Sequence, residues 1–139
     1  MMHPARCLLI VFAALGGCTS TPEPQPTPTA SLVGTWTFQK RSSVVWTGGT
    51  PTTQADMQPA GAYATTFNTD GTFVSVTSPT YGSWTVRGTY THMGNTLTTR
   101  VNTSTGTEII VKLTDHDLIT EQESTSGGIR TVMTEEYTR

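Results

Sequence analysis

The stretch that decides the fold is Gly82-Ser83-Trp84-Thr85-Val86-Arg87-Gly88-Thr89-Tyr90. Apolar residues or glycine stand at every second position from 82 to 90, and polar residues or small hydroxyl residues stand between them. Such alternation is typical of a half-buried β-strand, because successive side chains of a strand point to opposite faces. The glycines would let this strand coil sharply, as the closure of a sheet requires.

The chain on either side of this stretch repeats the pattern in shorter pieces. We expect strands at residues 33–41, 62–67, 72–77, 82–90, 97–102, 107–113, 118–123 and 129–137, with residues 43–47 extending the first strand past a bulge. Turn sequences such as Asn68-Thr69-Asp70-Gly71 separate the strands, since glycine supplies the positive φ of a tight hairpin. The sequence therefore predicts an all-β domain, an eight-stranded up-and-down antiparallel β-barrel.

The alternation also predicts which side chains point into the barrel. In the first strand, Trp36, Phe38 and Lys40 share one face. In the sixth strand, Ile109, Val111 and Leu113 are expected to point inward. Residues 48–60 are rich in glycine, proline and threonine, and we expect them to form a long loop between the first two strands.

Composition supports this fold class and argues against several others. The chain has 139 residues, of which 31 are threonine and 13% are charged, and its formal net charge is −2. Threonine is β-branched and favours strands over helices. The charge balance provides no basic surface for nucleic acid, and the length leaves room for one domain.

The N-terminus has the features of an export signal. An apolar run, Cys7-Leu8-Leu9-Ile10-Val11-Phe12-Ala13-Ala14-Leu15, follows a short basic start and is far shorter than the roughly 20 residues of a bilayer span. Leu15-Gly16-Gly17-Cys18 ends the run and resembles the bacterial lipoprotein box. The resemblance implies that residues 1–17 are a lipoprotein signal peptide and that Cys18 becomes the acylated first residue. The alternative is an ordinary secretory signal with an incidental cysteine.

Acylation of Cys18, for example with palmitate, would hold the mature protein on a membrane, because two or more acyl chains anchor a protein stably. Residues 18–30 carry proline at every second position from 22 to 28 and are expected to form an extended linker. The barrel domain then occupies residues 31–139, outside the cytoplasm at the bacterial cell envelope. Thr19 stands where aspartate commonly retains such proteins in the inner membrane, so the resemblance favours the outer membrane of a Gram-negative cell.

Leu32-Val33-Gly34-Thr35-Trp36 resembles the Gly-x-Trp opening of the lipocalin family, and Asp70-Gly71-Thr72-Phe73 and the final Tyr137-Thr138-Arg139 resemble small bacterial lipocalin-like domains. The resemblance implies that Trp36 plugs the closed end of the barrel. It also implies that an arginine packs over this ring, with Arg139 as the first candidate and Arg130 as the second. Avidin-like barrels open with Gly-Thr-Trp as well, although we find no match to their biotin-contacting residues.

In lipocalins the loop between the first two strands covers the open mouth of the barrel. By this resemblance residues 48–60 would form a lid, with Met57 and Pro59 as its apolar contacts.

A set of mostly aromatic side chains is expected to face the interior. These side chains either fill the barrel or line a cavity for a small hydrophobic ligand. The candidate ligand-binding residues are Trp36, Phe38, Phe67, Phe73, Trp84, Tyr90, Met133 and Tyr137.

The motifs of catalysis are weak. Asp115-His116-Asp117 places three adjacent residues in one turn, where they cannot all face one metal ion. Glu135 and Glu136 point to opposite faces of a strand and cannot act on one substrate. We therefore expect no catalytic residues, no metal and no cofactor. Two hypotheses remain: a lipid-anchored barrel that binds or carries a small hydrophobic ligand, and a structural or interaction lipoprotein with a filled barrel.

Overall fold

The computed structural model describes residues 30–55 and 58–139. The predicted signal peptide, Cys18, nearly all of the linker, and Met57 lie outside the described residues. In the described ranges, no helix has the length and apolar character that a bilayer crossing requires.

The described chain consists of nine β-strands and one 3-10 turn at Pro79–Tyr81. Hydrogen bonding in strands satisfies the backbone, and the many β-branched residues favour the extended conformation. The strands are β1 (Gly34–Thr47), β2 (Thr50–Ala55), β3 (Tyr63–Phe67), β4 (Thr72–Thr77), β5 (Thr85–Met93), β6 (Thr96–Val101), β7 (Ser104–Leu113), β8 (Asp117–Ser126) and β9 (Ile129–Thr138).

Eight of these strands form a closed antiparallel barrel. From β3 to β9 each strand pairs with the next along the chain, and β1 pairs with both β3 and β9, which closes the ring. The predicted all-β, eight-stranded up-and-down barrel is therefore confirmed.

The remaining strand, β2, lies outside the ring of eight, and it shows that the prediction of a long loop at 48–60 was wrong. It pairs with the second half of β1, from Ser42 opposite Ala55 to Thr47 opposite Thr50. Gly48 and Gly49 form the hairpin turn, with φ of 60° and 87°. The sequence signal was a Gly-Gly pair followed by threonines, which favours a hairpin over a lid. Pro59, the other expected lid contact, is exposed.

A bulge in β1 overturns the predicted position of Lys40. The register against β9 shifts between Phe38 and Lys40, so one extra residue reverses the alternation of faces. Lys40 lies outside, where its Nζ is 2.9 Å from Glu136 Oε1 and its side chain is 63% exposed. Arg41 takes the inward position instead.

A second bulge overturns the predicted faces of β7. Its register against β8 shifts between Ile110 and Lys112. Ile110 is buried, whereas Ile109 and Val111 are 41% and 50% exposed, opposite to the expectation. Leu113 packs against the core as expected, because the bulge restores its inward orientation.

The start of β5 and the turn between β3 and β4 can also be compared with the prediction. The strand expected at 82–90 begins at Thr85, so Trp84 lies just before β5 and remains 49% exposed. The Asn68–Gly71 turn has the expected form, with the Asn68 amide donating to the Thr72 carbonyl over 2.9 Å and Gly71 at φ 81°.

The closed end of the barrel is packed around Trp36, whose side chain is fully buried. The indole Nε1 donates to the Leu32 carbonyl over 2.8 Å. Arg139 lies over the ring, with its Cζ 4.3 Å from the ring centroid, and donates to the Val33 carbonyl over 2.9 Å. The prediction that Arg139 packs over Trp36 is confirmed. Arg130, the second candidate, instead lies over Trp46.

Gly34 belongs to the same arrangement. A Cβ atom at this position would lie 2.9 Å from the Arg139 guanidinium, and the φ of 133° also favours glycine. The glycine of the Gly-x-Trp motif thus leaves room for the arginine.

Gly88 has a different reason to be glycine. A Cβ atom there would lie 2.2 Å from the Arg100 carbonyl oxygen and 2.6 Å from the ring of Phe73. The backbone of β5 therefore approaches its neighbours more closely than any side chain would permit.

Trp36→Ala should lower the free energy of unfolding by about 3–5 kcal/mol, because it removes a fully buried aromatic side chain and leaves a cavity. Trp46→Ala, on the partly exposed half of the same strand, is the control and should cost clearly less. Urea denaturation measures both values. Equal losses would show that Trp36 does not plug the barrel.

Gly88→Ala should destabilise the barrel by about 1–3 kcal/mol or more, because the added methyl group overpacks against backbone. Gly106→Ala is the matched strand glycine, since its Cβ would meet only the Thr99 hydroxyl at 3.3 Å. Thermal unfolding of the two variants should separate them. If Gly88→Ala left the melting temperature unchanged, the close approach of β5 and β6 would be contradicted.

Candidate functional site

A cavity of about 230 Å³ lies inside the barrel, above the packed closed end. Its floor is apolar and is made by residues of the core, namely Trp36, Phe67, Phe73, Leu97 and Leu118. Trp84 borders the cavity and is half exposed, so the cavity reaches solvent beside this residue.

The middle of the cavity is polar. Four hydroxyl residues on β3, β4, β6 and β8 line it, namely Thr65, Ser75, Thr99 and Thr120. Thr65 donates to Ser75 across the β3–β4 pair over 3.0 Å. These inward hydroxyls follow from the alternation of a threonine-rich sheet, in which every second side chain faces inside.

A charged pair crosses one wall of the cavity. Arg41 on β1 and Glu135 on β9 are register partners, and both point inward. Arg41 Nε donates to Glu135 Oε1 over 2.7 Å, and Arg41 Nη2 lies 2.5 Å from the same oxygen. Burial lowers the pKa of Arg41, but the Glu135 carboxylate and the Tyr63 hydroxyl together outweigh it, so the net pKa is raised and the guanidinium stays charged.

Two tyrosines complete this group. Tyr137 donates to Glu135 Oε2, and Tyr63 donates to the same oxygen over 3.3 Å. Burial and the Glu135 charge raise the pKa of Tyr63 to about 12, and the same causes raise the pKa of Tyr137 well above its ordinary value. Both phenols therefore stay protonated at neutral pH and act as hydrogen-bond donors.

Phe38 supports these tyrosines from behind. Its ring stacks on Tyr63 at a centroid distance of 4.5 Å and meets Tyr137 edge-on at 6.0 Å. Phe38 is fully buried, and its contacts with both rings support the position of the two phenols.

Glu108 is the second carboxyl group in the cavity. It lies on β7, opposite Leu97 of β6, and accepts a hydrogen bond from the Thr120 hydroxyl. Burial raises its pKa, and the charge of Glu135 raises it further, while the Thr120 hydrogen bond and Arg41 act in the other direction. Glu108 is half-buried and forms no salt bridge with another described residue, so its ionised form is costly to the fold.

The sequence-predicted ligand residues divide into two groups. Trp36, Phe67, Phe73, Trp84 and Tyr137 line the cavity. The other three do not: Phe38 lies behind Tyr63, Tyr90 packs edge-on against Phe67 at 4.9 Å, and Met133 borders a separate depression beside β2.

Sequence reasoning missed most of the lining residues, including four that carry the polar wall, namely Arg41, Tyr63, Glu108 and Glu135. Tyr63 lies in the strand predicted at 62–67, where nothing in the local pattern distinguishes it from a core aromatic residue. Glu135 and Glu136 were correctly placed on opposite faces, but which of the two points inward depends on the barrel register. Arg41 and Glu108 were hidden by the bulges in β1 and β7, and a period-two pattern alone does not reveal a bulge.

The Asp115-His116-Asp117 turn is engaged in ion pairs at the closed end. Asp117 Oδ2 is 2.9 Å from Lys112 Nζ, and Asp115 Oδ1 is 3.8 Å from Arg139 Nη2. Among residues 30–55 and 58–139, no group of three histidine, cysteine, aspartate or glutamate side chains could hold a metal ion.

Comparison with known proteins finds solved structures of similar fold, and neither a matching family model nor a matching curated protein. A lipocalin-like protein from Bacteroides uniformis is similar in structure, with 13% identity and a TM-score of 0.47 over 73% of this chain and 96% of that one. An uncharacterized protein from Bacteroides eggerthii has 12% identity and a TM-score of 0.48 over 76% of this chain and 99% of that one.

Glu108→Gln should stabilise the protein at neutral pH. Because folding raises the pKa of Glu108, the folded state holds its proton more tightly, and stability is lost as pH rises from the unfolded value of about 4.3. The variant lacks this loss, so its advantage should grow from pH 4 to pH 7.

Unfolding free energies measured across that pH range test the sign. Glu123→Gln is the control, because Glu123 is paired with Arg130 on the surface and should give no such gain. If the stability of Glu108→Gln relative to the wild type fell between pH 4 and pH 7, the raised pKa of Glu108 would be contradicted.

Proposed function

We propose that this chain is a lipid-anchored, lipocalin-like envelope protein that binds a small molecule with an apolar body and a polar group inside its barrel. The observation that carries this proposal is the cavity, in which a polar network stands directly above an aromatic floor. A barrel that served only as a rigid spacer would gain stability from apolar packing at these positions.

The size of the cavity limits the ligand. An apolar cavity of about 150 Å³ accommodates benzene, and most ligand pockets exceed about 300 Å³. A volume of about 230 Å³ fits one ring with a short substituent better than a long acyl chain or a whole lipid.

The polarity of the walls limits it further. Phe67 and Phe73 offer apolar surface at the floor, while Arg41, Glu108 and Glu135 offer charge above it. A purely hydrophobic ligand would cover these charged groups without hydrogen bonding to them, which is unfavourable. We therefore refine the hydrophobic ligand expected from the sequence to an amphipathic one.

We propose a binding role without catalysis. Glu135 is already engaged by Arg41 and Tyr137, so it is poorly suited to serve as a catalytic base. Its pairing is suited to fixing the shape of the cavity wall instead.

The anchoring part of the proposal is supported by the sequence. Leu15-Gly16-Gly17-Cys18 ends an apolar run of signal-peptide length, and a proline-rich linker follows. A domain held in this way would sample small molecules at the cell envelope, outside the cytoplasm and on the outer membrane of a Gram-negative cell.

Lipidation is tested by growing the source cells in radiolabelled palmitate. The protein should carry label and partition into membranes, and Cys18→Ser should abolish both properties. An unlabelled wild-type protein would exclude the lipoprotein assignment and leave the barrel unaffected.

Ligand binding is tested by native mass spectrometry of the protein purified from its own host. We expect a co-purified mass of a few hundred daltons at most, since the cavity is small. Thr120→Leu, which fills the polar middle of the cavity, should lose this mass, while Thr91→Leu on the exposed part of β5 should retain it. A bare protein mass for the wild type, with no response to small amphipathic probes, would favour the filled-barrel alternative.

A further inference from the structure

The charges that line the cavity do not cancel. The described lining contains one basic and two acidic side chains, namely Arg41, Glu108 and Glu135. Arg41 and Glu135 bind each other at 2.5–2.7 Å and form one neutral unit. Ionised Glu108 therefore adds one net negative charge to the described lining.

The groups around Glu108 compensate this charge only in part. Leu97 and Thr99 face the cavity from β6, and Leu118 and Thr120 face it from β8. Tyr63 on β3 and Tyr137 on β9 are neutral phenols, and Arg41 is shared with Glu135. Thr120 supplies one hydrogen bond, whereas a carboxylate has room for about four.

The rest of the lining suits a cation with an apolar part. Phe67, Phe73 and Trp84 present aromatic rings to the cavity, and aromatic faces attract cations as well as apolar groups. An ammonium group has three donors and would satisfy the open acceptor sites of Glu108. A carboxylate ligand would meet Glu108 with the same sign of charge.

We infer that the cavity takes a small organic cation, an amine carrying one ring or a short apolar chain, with its ammonium group on Glu108 and its apolar part against the aromatic floor. This inference rests on the proposed function, because it names the ligand class of the same cavity. The Arg41–Glu135 pair shapes the wall formed by β1 and β9, and the charge of Glu108 disfavours anionic ligands.

Three probes of one size and different charge test the inference: 2-phenylethylamine, 2-phenylethanol and phenylacetate. Their affinities for the purified protein are measured by calorimetry at pH 7.5. The amine should bind at least tenfold more tightly than the alcohol, and phenylacetate should bind most weakly. In Glu108→Gln this preference should vanish, with the alcohol little changed, while Glu123→Gln should behave as the wild type.

The wild-type protein gives a second readout that needs no variant. The amine stays protonated below about pH 9, since alkyl ammonium groups have pKa values near 10. Its binding should weaken as the pH falls and Glu108 takes up a proton, whereas binding of the alcohol should hold constant.

The outcomes are distinguishable. An amine preference that depends on Glu108 supports the inference. Alcohol or phenylacetate binding as tight as that of the amine, or a preference unchanged in Glu108→Gln, overturns the inference and leaves a small-molecule site in place. Failure of all three probes to bind overturns both the inference and the proposed function.

Discussion

One extra residue in β1 determines the chemistry of the barrel interior. The bulge between Phe38 and Lys40 reverses the alternation of the strand, so that Arg41 points inward and Lys40 points to solvent. Without the bulge Lys40, and not Arg41, would stand opposite Glu135 and point inward. The arginine–glutamate pair in the wall of the cavity therefore depends on this shift.

The barrel divides into a half that provides stability and a half that holds the candidate site. At the closed end Trp36, its covering arginine and the surrounding apolar side chains form a dense core. Above them the interior is left partly open and holds buried charge. Buried charge and unfilled volume both reduce stability, so their presence in so small a domain is characteristic of a functional site.

The sequence predicted the features that depend on local chemistry. The strand at 72–77, the Asn68–Gly71 turn and the pairing of Trp36 with Arg139 are as expected, because each follows from nearby residues or from a short motif. The sequence predicted a bulge between residues 41 and 43 and none in the sixth strand, whereas the bulges lie at Gln39 and Val111, because their positions depend on how neighbouring strands pair. Arg41, Glu108 and Glu135 meet only when the ring closes, which brings β1, β7 and β9 around one space.

Two adjacent register pairs allow the most direct test of this arrangement. Arg41 with Glu135 lies inside, and Lys40 with Glu136 lies outside, on the same two strands. Double-mutant cycles with Arg41→Met and Glu135→Gln, and with Lys40→Met and Glu136→Gln, measure the coupling within each pair. We expect about 1.5–3 kcal/mol for the inner pair and below about 1 kcal/mol for the outer pair. Equal couplings, or a larger one for the outer pair, would contradict the inward position of Arg41 and the cavity that depends on it.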